Sequence, residues 1–97
     1  MRLEWSKMAQ RNLDNIEAYI AKDNPGAAAK TVLKIVKRTF QQLSGQPYSG
    51  KPGRISGTRE LIFTEFPYIV IYMVQDETIY VISVFHTSRN IENLSLE

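Results

Sequence analysis

The segment Arg54–His86, RISGTRELIFTEFPYIVIYMVQDETIYVISVFH, decides the fold of this chain. It contains three runs rich in β-branched and aromatic residues, Arg59–Phe63, Tyr68–Val74 and Ile79–Phe85, and this composition is typical of strands. Short connections of hairpin length separate the runs. Because the middle run is apolar almost throughout, both of its faces should be covered. The segment therefore predicts a three-stranded antiparallel meander at the centre of the fold.

Residues before this segment predict one short strand and then a helix. Arg2–Trp5 alternates charged and apolar residues, which indicates a strand, and Ser6 is a suitable N-cap for a helix over Lys7–Lys22. The apolar residues of this helix recur at intervals of four, three and four, which places them on one face: Ala9, Leu13, Ile16 and Ile20. This face should pack against the rest of the domain.

A second helix is predicted over Pro25–Leu43. Proline cannot continue the first helix but is well tolerated at the first position of the next, and Asn24 can cap it. Its apolar residues form two neighbouring rows, Ala28, Val32, Ile35 and Thr39 in one and Leu33, Val36, Phe40 and Leu43 in the other. We expect so wide a stripe to contact both the first helix and the sheet. With Ser44–Gly57 as a Gly/Pro-rich loop, the pattern predicts an α+β fold, a β-α-α-β-β-β chain with a helix hairpin on a small antiparallel sheet.

Length and composition limit the classes of function. The 97 residues suit one domain, 1–97, and a formal charge of +2 with a pI near 9.0 mildly favours an anionic partner. The absence of Cys and the single His exclude a thiolate or polyhistidine metal site, so neither a metal nor a cofactor is expected. No run is long and apolar enough to span a membrane, and the N-terminus lacks the apolar core of a signal peptide. We therefore expect a cytoplasmic protein without a membrane partner.

Cations cluster on the predicted second helix. Lys30, Lys34, Lys37 and Arg38 project from one side of it, and no acidic residue occurs from Ala27 to Gly57. The simpler interpretation is a solvated face opposite the apolar stripe. The alternative is a surface for phosphates or for an acidic partner, where spaced positive charges contribute salt-sensitive affinity.

A second set of candidate residues lies around the meander. Lys51, Arg54 and Arg59 belong to the glycine-rich loop or adjoin it, so they could bind phosphate or carboxylate groups. Arg59 could instead pair with a carboxylate of its own chain. His86 ends the last strand three residues before Arg89, and a side chain that exchanges protons near neutral pH could act in catalysis there. A lone histidine at a strand end is also compatible with an ordinary surface role.

Three motifs in order carry a family resemblance over nearly the whole chain. They are Gly53-Arg54-Ile55-Ser56-Gly57-Thr58-Arg59-Glu60-Leu61, then Pro67-Tyr68-Ile69-Val70-Ile71-Tyr72, then Val84-Phe85-His86 with Arg89. Together with Asp23-Asn24-Pro25 between two helices, they resemble the RelE/ParE superfamily of bacterial type II toxin–antitoxin modules, and most of all its plasmid-stabilisation, ParE-like branch. The resemblance implies a toxin that a cognate antitoxin protein binds and neutralises.

The resemblance leaves two activities open. ParE-like members inhibit DNA gyrase and need no catalytic residues, whereas RelE-like members are endoribonucleases that cleave mRNA on the ribosome. In the first case the target is gyrase and the chain is not an enzyme. In the second, His86 would be catalytic, exchanging the proton, and Lys51, Arg54, Arg59 and Arg89 would hold phosphates. The lysines and arginine expected on a RelE-like sheet fall here on Glu60, Ile62 and Thr64, which favours gyrase inhibition.

Overall fold

The computed structural model describes residues 1–88, which form two helices and five strands. The helices are α1 (Lys7–Ala21) and α2 (Pro25–Gly45), and the strands are β1 (Arg2–Trp5), β2 (Lys51–Pro52), β3 (Arg59–Ile62), β4 (Tyr68–Gln75) and β5 (Thr78–His86). The strands form one sheet in the order β1-β5-β4-β3-β2. The α+β class and the helix hairpin on a sheet are therefore confirmed.

The predicted meander is the centre of the sheet. Strand β4 pairs antiparallel with β3 on one side and with β5 on the other, and Val70, Ile71 and Tyr72 are fully buried. The β4–β5 connection is a two-residue turn in which Asp76 and Glu77 have φ angles of 51° and 60°. Positive φ at both central positions matches the right-handed twist of the strands, which is why so short a loop can join them.

The meander is antiparallel as predicted, but the sheet as a whole is mixed. Strand β1 was predicted with the correct bounds, but it pairs parallel with β5, with Leu3 opposite Ile79 and Trp5 opposite Val81. The side chains of Leu3 and Trp5 pack against the main core from this edge. At the opposite edge the predicted loop contains the two-residue strand β2, which pairs with β3. The β1–β5 pairing joins segments that are distant in sequence, so local composition does not encode it. The β2–β3 pairing is local, but its two residues are too few to be predicted as a strand.

Capping residues define the helix hairpin as the sequence predicts. The Ser6 hydroxyl accepts the Ala9 N–H at 2.9 Å, and the Asn24 side chain accepts the Ala27 N–H at 3.1 Å. Each bond satisfies one of the N–H groups that the first turn of a helix leaves without a partner. Pro25 then occupies the first turn of α2, where the absence of an N–H costs nothing.

A β-bulge in β5 is the point at which α1 attaches to the sheet. Ile71 pairs with Ser83 and Tyr72 with Val81, so Ile82 is the extra residue of the bulge. Its carbonyl accepts the Ser6 hydroxyl at 2.8 Å. Ser83 and Val84 follow Ile82 on β5. The Val84 N–H and the Ser83 hydroxyl both donate to Asn12 Oδ1, at 3.0 and 2.9 Å. The side chains of Ser6, the N-cap of α1, and of Asn12 therefore bond polar groups of β5 at the bulge and just after it.

The main core lies between the helices and one face of the sheet. Its fully buried members include Ile35 and Leu43 from α2 and Tyr72 and Val81 from the strands. The other face carries a smaller cluster of Ile69, Ile71 and Phe85, with Ile55 and Ile82 packed against it.

One expectation about α2 is wrong. The row containing Ala28, Ile35 and Thr39 is buried, but Leu33 and Phe40 are 64% and 59% exposed. A helix that contacts α1 and the sheet on one side cannot also bury residues that point away from both.

Within residues 1–88, no helix has the length and apolar character needed to cross a membrane.

Candidate functional site

His86, the candidate catalytic residue, lies at the end of β5 beside the start of β4. It pairs across the strands with Tyr68, and the two rings meet edge to face with centroids 5.4 Å apart. The Ser88 N–H donates to His86 Nδ1 at 3.1 Å, and the Ser88 hydroxyl lies 2.8 Å from the same nitrogen. Since Nδ1 accepts a hydrogen bond, a neutral imidazole carries its proton on Nε2. The His86 ring is exposed to solvent, and its contacts with Tyr68 and Ser88 hold its orientation.

A cleft of about 680 Å³ opens between this strand end and the C-terminal half of α1. Hydrogen-bonding groups line it, among them Asn15, Tyr19, Lys22, Tyr68 and His86, and no Asp or Glu of the described residues does so. Burial raises the pKa of the Tyr68 phenol, and the nearby Tyr19 raises it further. The phenol therefore stays protonated near neutral pH and can donate a hydrogen bond. The cleft suits a polar or anionic group.

Arg59, predicted to bind phosphate or a target, holds the loop before β2. Its Nη1 donates to the carbonyls of Tyr48 and Gly50 at 3.1 and 2.8 Å, and its guanidinium lies 5.3 Å from the centre of the Tyr48 ring. The same loop is fixed from the core, where the Tyr72 hydroxyl accepts the Gly50 N–H at 2.9 Å. A Cβ at Gly50 would come within 2.7 Å of that hydroxyl, so only glycine allows this approach.

Arg54 and Lys51 differ in how they are held. The Glu60 Oε2 atom accepts the Arg54 N–H at 2.9 Å and lies 3.7 Å from the Arg54 Nε. Glu60 is almost completely buried on β3, and its Oε1 has no hydrogen-bond partner among residues 1–88. The Arg54 side chain is half exposed, and Lys51 is exposed at the sheet edge. The side chains of Arg54 and Lys51 are therefore both accessible to a binding partner.

The three cations and His86 occupy different parts of the sheet. Arg59 pairs with Tyr72, whereas His86 pairs with Tyr68, four residues away on β4 and on its other side. From strand geometry, this separates them by roughly 13 Å along the strands and about 10 Å across them. Lys51, Arg54 and Arg59 therefore share one edge without His86. Arg89, the remaining candidate, lies outside the described residues.

The sequence prediction missed the cleft residues Tyr19 and Lys22 and the buried Glu60. Tyr19 and Lys22 are three residues apart on α1, a spacing that brings side chains together on a helix, so this pair could have been found. Glu60 was named only within a motif and as a position where a RelE-like sheet carries a lysine, although a carboxylate in an apolar strand is unusual enough to be informative. Among residues 1–88, no three His, Cys, Asp or Glu residues are grouped so that they could hold a metal ion.

Comparison with known proteins gives matches over most of the chain. The family model described as ParE toxin of the type II toxin–antitoxin system, parDE, matches residues 3–91. Y4kP of Sinorhizobium fredii, a protein named as a toxin, is 42% identical over 88 residues, covering 91% of this chain and 90% of that protein.

Two solved structures that share this fold belong to toxin–antitoxin systems. A chain of the chromosomal ParDE system from P. aeruginosa has a TM-score of 0.81 and 26% identity, and the match covers 91% of this chain and 97% of that one. A chain of the RelBE2 toxin–antitoxin complex from Mycobacterium tuberculosis has a TM-score of 0.65 and 24% identity, over 91% and 92% of the two chains. At that identity the second match shows the shared fold alone.

Proposed function

Because this chain belongs to the ParE toxin family of type II toxin–antitoxin systems, we propose that it arrests growth by inhibiting DNA gyrase and that a cognate antitoxin neutralises it. The fold itself is common to ParE and RelE toxins, so it does not select between gyrase and mRNA as the target. Gyrase and the ribosome are both cytoplasmic, and the proposal therefore places the protein in the cytoplasm.

One geometric observation carries the preference for gyrase. The cations Lys51, Arg54 and Arg59 share a sheet edge distant from His86, and Arg59 is bonded to loop carbonyls. Cleavage of RNA through attack of a 2′-hydroxyl builds negative charge on the phosphate, and preorganised donors close to the proton-transfer group must stabilise that charge. At this separation the three cations cannot contact a phosphate that is bound at His86. An inhibitor that acts by binding needs no such arrangement.

A ribosome-dependent mRNA endoribonuclease is the second candidate. It is favoured by the imidazole of His86, which Ser88 and Tyr68 orient at the mouth of a cleft that also holds Lys22. In this reaction His86 would exchange the proton and Lys22 would face the phosphate. Lys51, Arg54 and Arg59 would then contact phosphates further along the RNA.

Two assays on the toxin and its His86→Ala variant separate the candidates. We expect purified toxin to stop gyrase from supercoiling relaxed plasmid, with the variant equally active and both reversed by the antitoxin. We also expect induction in cells to cause an SOS response without cuts in mRNA at codon boundaries. Tyr80→Ala, on the face of the sheet away from the helices, is the matched surface control. Unchanged supercoiling, together with mRNA cleavage that His86→Ala lowers by about a hundredfold or more, would establish the nuclease instead.

A further inference from the structure

A buried phenol lines the cleft beside His86. The Tyr68 side chain is only 7% exposed, and it faces the C-terminal half of α1 across this cleft. The Tyr72 hydroxyl is bonded to the Gly50 N–H, but the Tyr68 hydroxyl has no hydrogen-bond partner within residues 1–88. A buried polar group without a partner costs free energy until a ligand or a water molecule bonds it. A ligand in the cleft would therefore gain from a hydrogen bond with Tyr68.

Further hydrogen-bond donors come from both walls of the cleft. On the strand wall, His86 accepts the Ser88 N–H through Nδ1, so the neutral ring can donate from Nε2. On the helix wall, Asn15, Tyr19 and Lys22 follow one another at intervals of four and three residues, which places them on one face of α1. The Lys22 Nζ atom lies 6.0 Å from the centre of the Tyr19 ring. Both walls thus present donors to the space between them.

The charges around the cleft favour an anion. Lys22 lines it, and no Asp or Glu among residues 1–88 does so. The pKa of the Tyr68 phenol is raised by burial and by the nearby Tyr19, so this group adds a proton donor without a negative charge. The C-terminal end of α1 carries a partial negative charge, which works against an anion. The ammonium of Lys22, the C-cap residue of that helix, offsets this charge.

We propose that the cleft binds a phosphate group, either as free phosphate or as part of a nucleotide, through Tyr68, His86 and Lys22. The Tyr68 hydroxyl and the His86 Nε2–H would donate to phosphate oxygens from the strand wall. The Lys22 ammonium would pair with their charge from the helix wall. This inference goes beyond the proposed function, because it needs neither gyrase nor an antitoxin. It also differs from the nuclease candidate, because no bond of the ligand is broken.

Other ligands fit the cleft less well. A cation would meet the Lys22 ammonium and no carboxylate among residues 1–88. An apolar ligand would leave the buried Tyr68 hydroxyl without a partner. A carboxylate has two oxygens in one plane, whereas donors from two walls suit oxygens that point in several directions. The volume of about 680 Å³ is in the range of small-molecule sites, so it has room for the sugar and base of a nucleotide.

The single histidine of the chain gives a direct readout of binding on the full-length toxin. At fixed pH and ionic strength, inorganic phosphate should shift the NMR signals of the His86 ring protons in a saturable way. Chloride at matched ionic strength should leave these signals unchanged, and acetate should bind more weakly than phosphate. Adenosine monophosphate distinguishes the two sources of the group. Tighter binding than that of inorganic phosphate would identify a nucleotide site, and equal binding would show that the phosphate group alone is held.

Two variants test the assigned contacts by calorimetry. Tyr68→Phe removes only the hydroxyl and should weaken phosphate binding about tenfold, the cost of one hydrogen bond to a charged group. Lys22→Gln should also weaken it and flatten its dependence on salt. The matched controls are Tyr80→Phe, an exposed tyrosine on the sheet, and Lys7→Gln, an exposed lysine at the other end of α1; both should bind as the wild type does. Circular dichroism checks folding, and the variant of the exposed Lys22 stays informative if Tyr68→Phe does not fold.

Several results would overturn the inference. They include shifts that do not saturate, phosphate binding that neither variant weakens, and acetate binding as tight as that of phosphate. Equal weakening by Lys7→Gln and Lys22→Gln would show general attraction to positive charge instead of a site. Single-stranded RNA that shifts the His86 signals when phosphate and adenosine monophosphate do not would favour the nuclease candidate. A wild-type chain that does not inhibit gyrase would count against the proposed function alone, because phosphate binding is measured on the toxin by itself.

Discussion

Replacing Asn12 by Ala should destabilise the protein strongly, because this side chain completes the hydrogen bonds of the β5 bulge. Asn12 Oδ1 accepts both the Val84 N–H and the Ser83 hydroxyl, and Val84 is only 2% exposed. Alanine offers no acceptor, and a buried residue has little access to water as a substitute. The substitution therefore leaves a buried donor without a partner rather than merely removing a bond.

The expected size of the effect follows from these two bonds. An orphaned buried N–H costs about 1–3 kcal/mol, and the lost hydroxyl bond adds about 1 kcal/mol. The sum, roughly 2–4 kcal/mol, is a large part of the roughly 5–15 kcal/mol by which a domain of this length is stable. In a thermal melt it corresponds to a midpoint lower by roughly 10–25 °C.

Urea denaturation followed by circular dichroism measures this change. Asn15→Ala is the matched control, because Asn15 is exposed on the same helix and should change the free energy of unfolding by less than about 0.5 kcal/mol. Asn12→Asp keeps an acceptor at the same place and should retain most of the stability. Native-state hydrogen exchange gives the local readout, since the Val84 amide should lose protection in Asn12→Ala. A variant as stable as the wild type, with Val84 still protected, would refute the role assigned to Asn12.

Two further predictions concern the tyrosines of β4. Tyr72→Phe removes the acceptor of the buried Gly50 N–H, so the free energy of unfolding should fall by about 1–3 kcal/mol in urea denaturation. The exposed Tyr80→Phe should leave it nearly unchanged, and equal effects at the two positions would contradict this account. Burial also raises the pKa of both Tyr68 and Tyr72 from the ordinary value of 10.0. Below that pH both phenols are protonated in the folded and the unfolded states. Their contribution to the free energy of unfolding is therefore fully present there. Above it the unfolded chain loses its protons first, and stability should fall by up to about 1.4 kcal/mol per pH unit for each tyrosine until the folded-state pKa is passed. Alkaline titration of unfolding should show a shallower fall in Tyr72→Phe, and an unchanged slope would contradict the shift.

Local sequence determined the secondary elements because each depends on neighbours within a few residues. Ser6 and Asn24 fixed the starts of the two helices through bonds to residues three positions away. The apolar run of β4 and its short connections predicted the meander, whose β4–β5 turn contains Asp76 and Glu77. The ordered motifs through Arg54, Tyr68 and His86 were enough to indicate the family. All of these signals lie within single elements or adjacent pairs.

Only the tertiary structure decided which groups meet across the chain. The parallel pairing of β1 with β5 and the bond from Ser6 to Ile82 join residues 76 positions apart, and no local pattern specifies such a partner. The sequence left Arg59 either as a ligand for phosphate or as the partner of a carboxylate, whereas in the structure it is bonded to two loop carbonyls. The endoribonuclease alternative used His86 and Arg59 in one reaction, but the strand register separates them. A sequence records which side chains are available, whereas the register and packing of distant segments determine the distances between them.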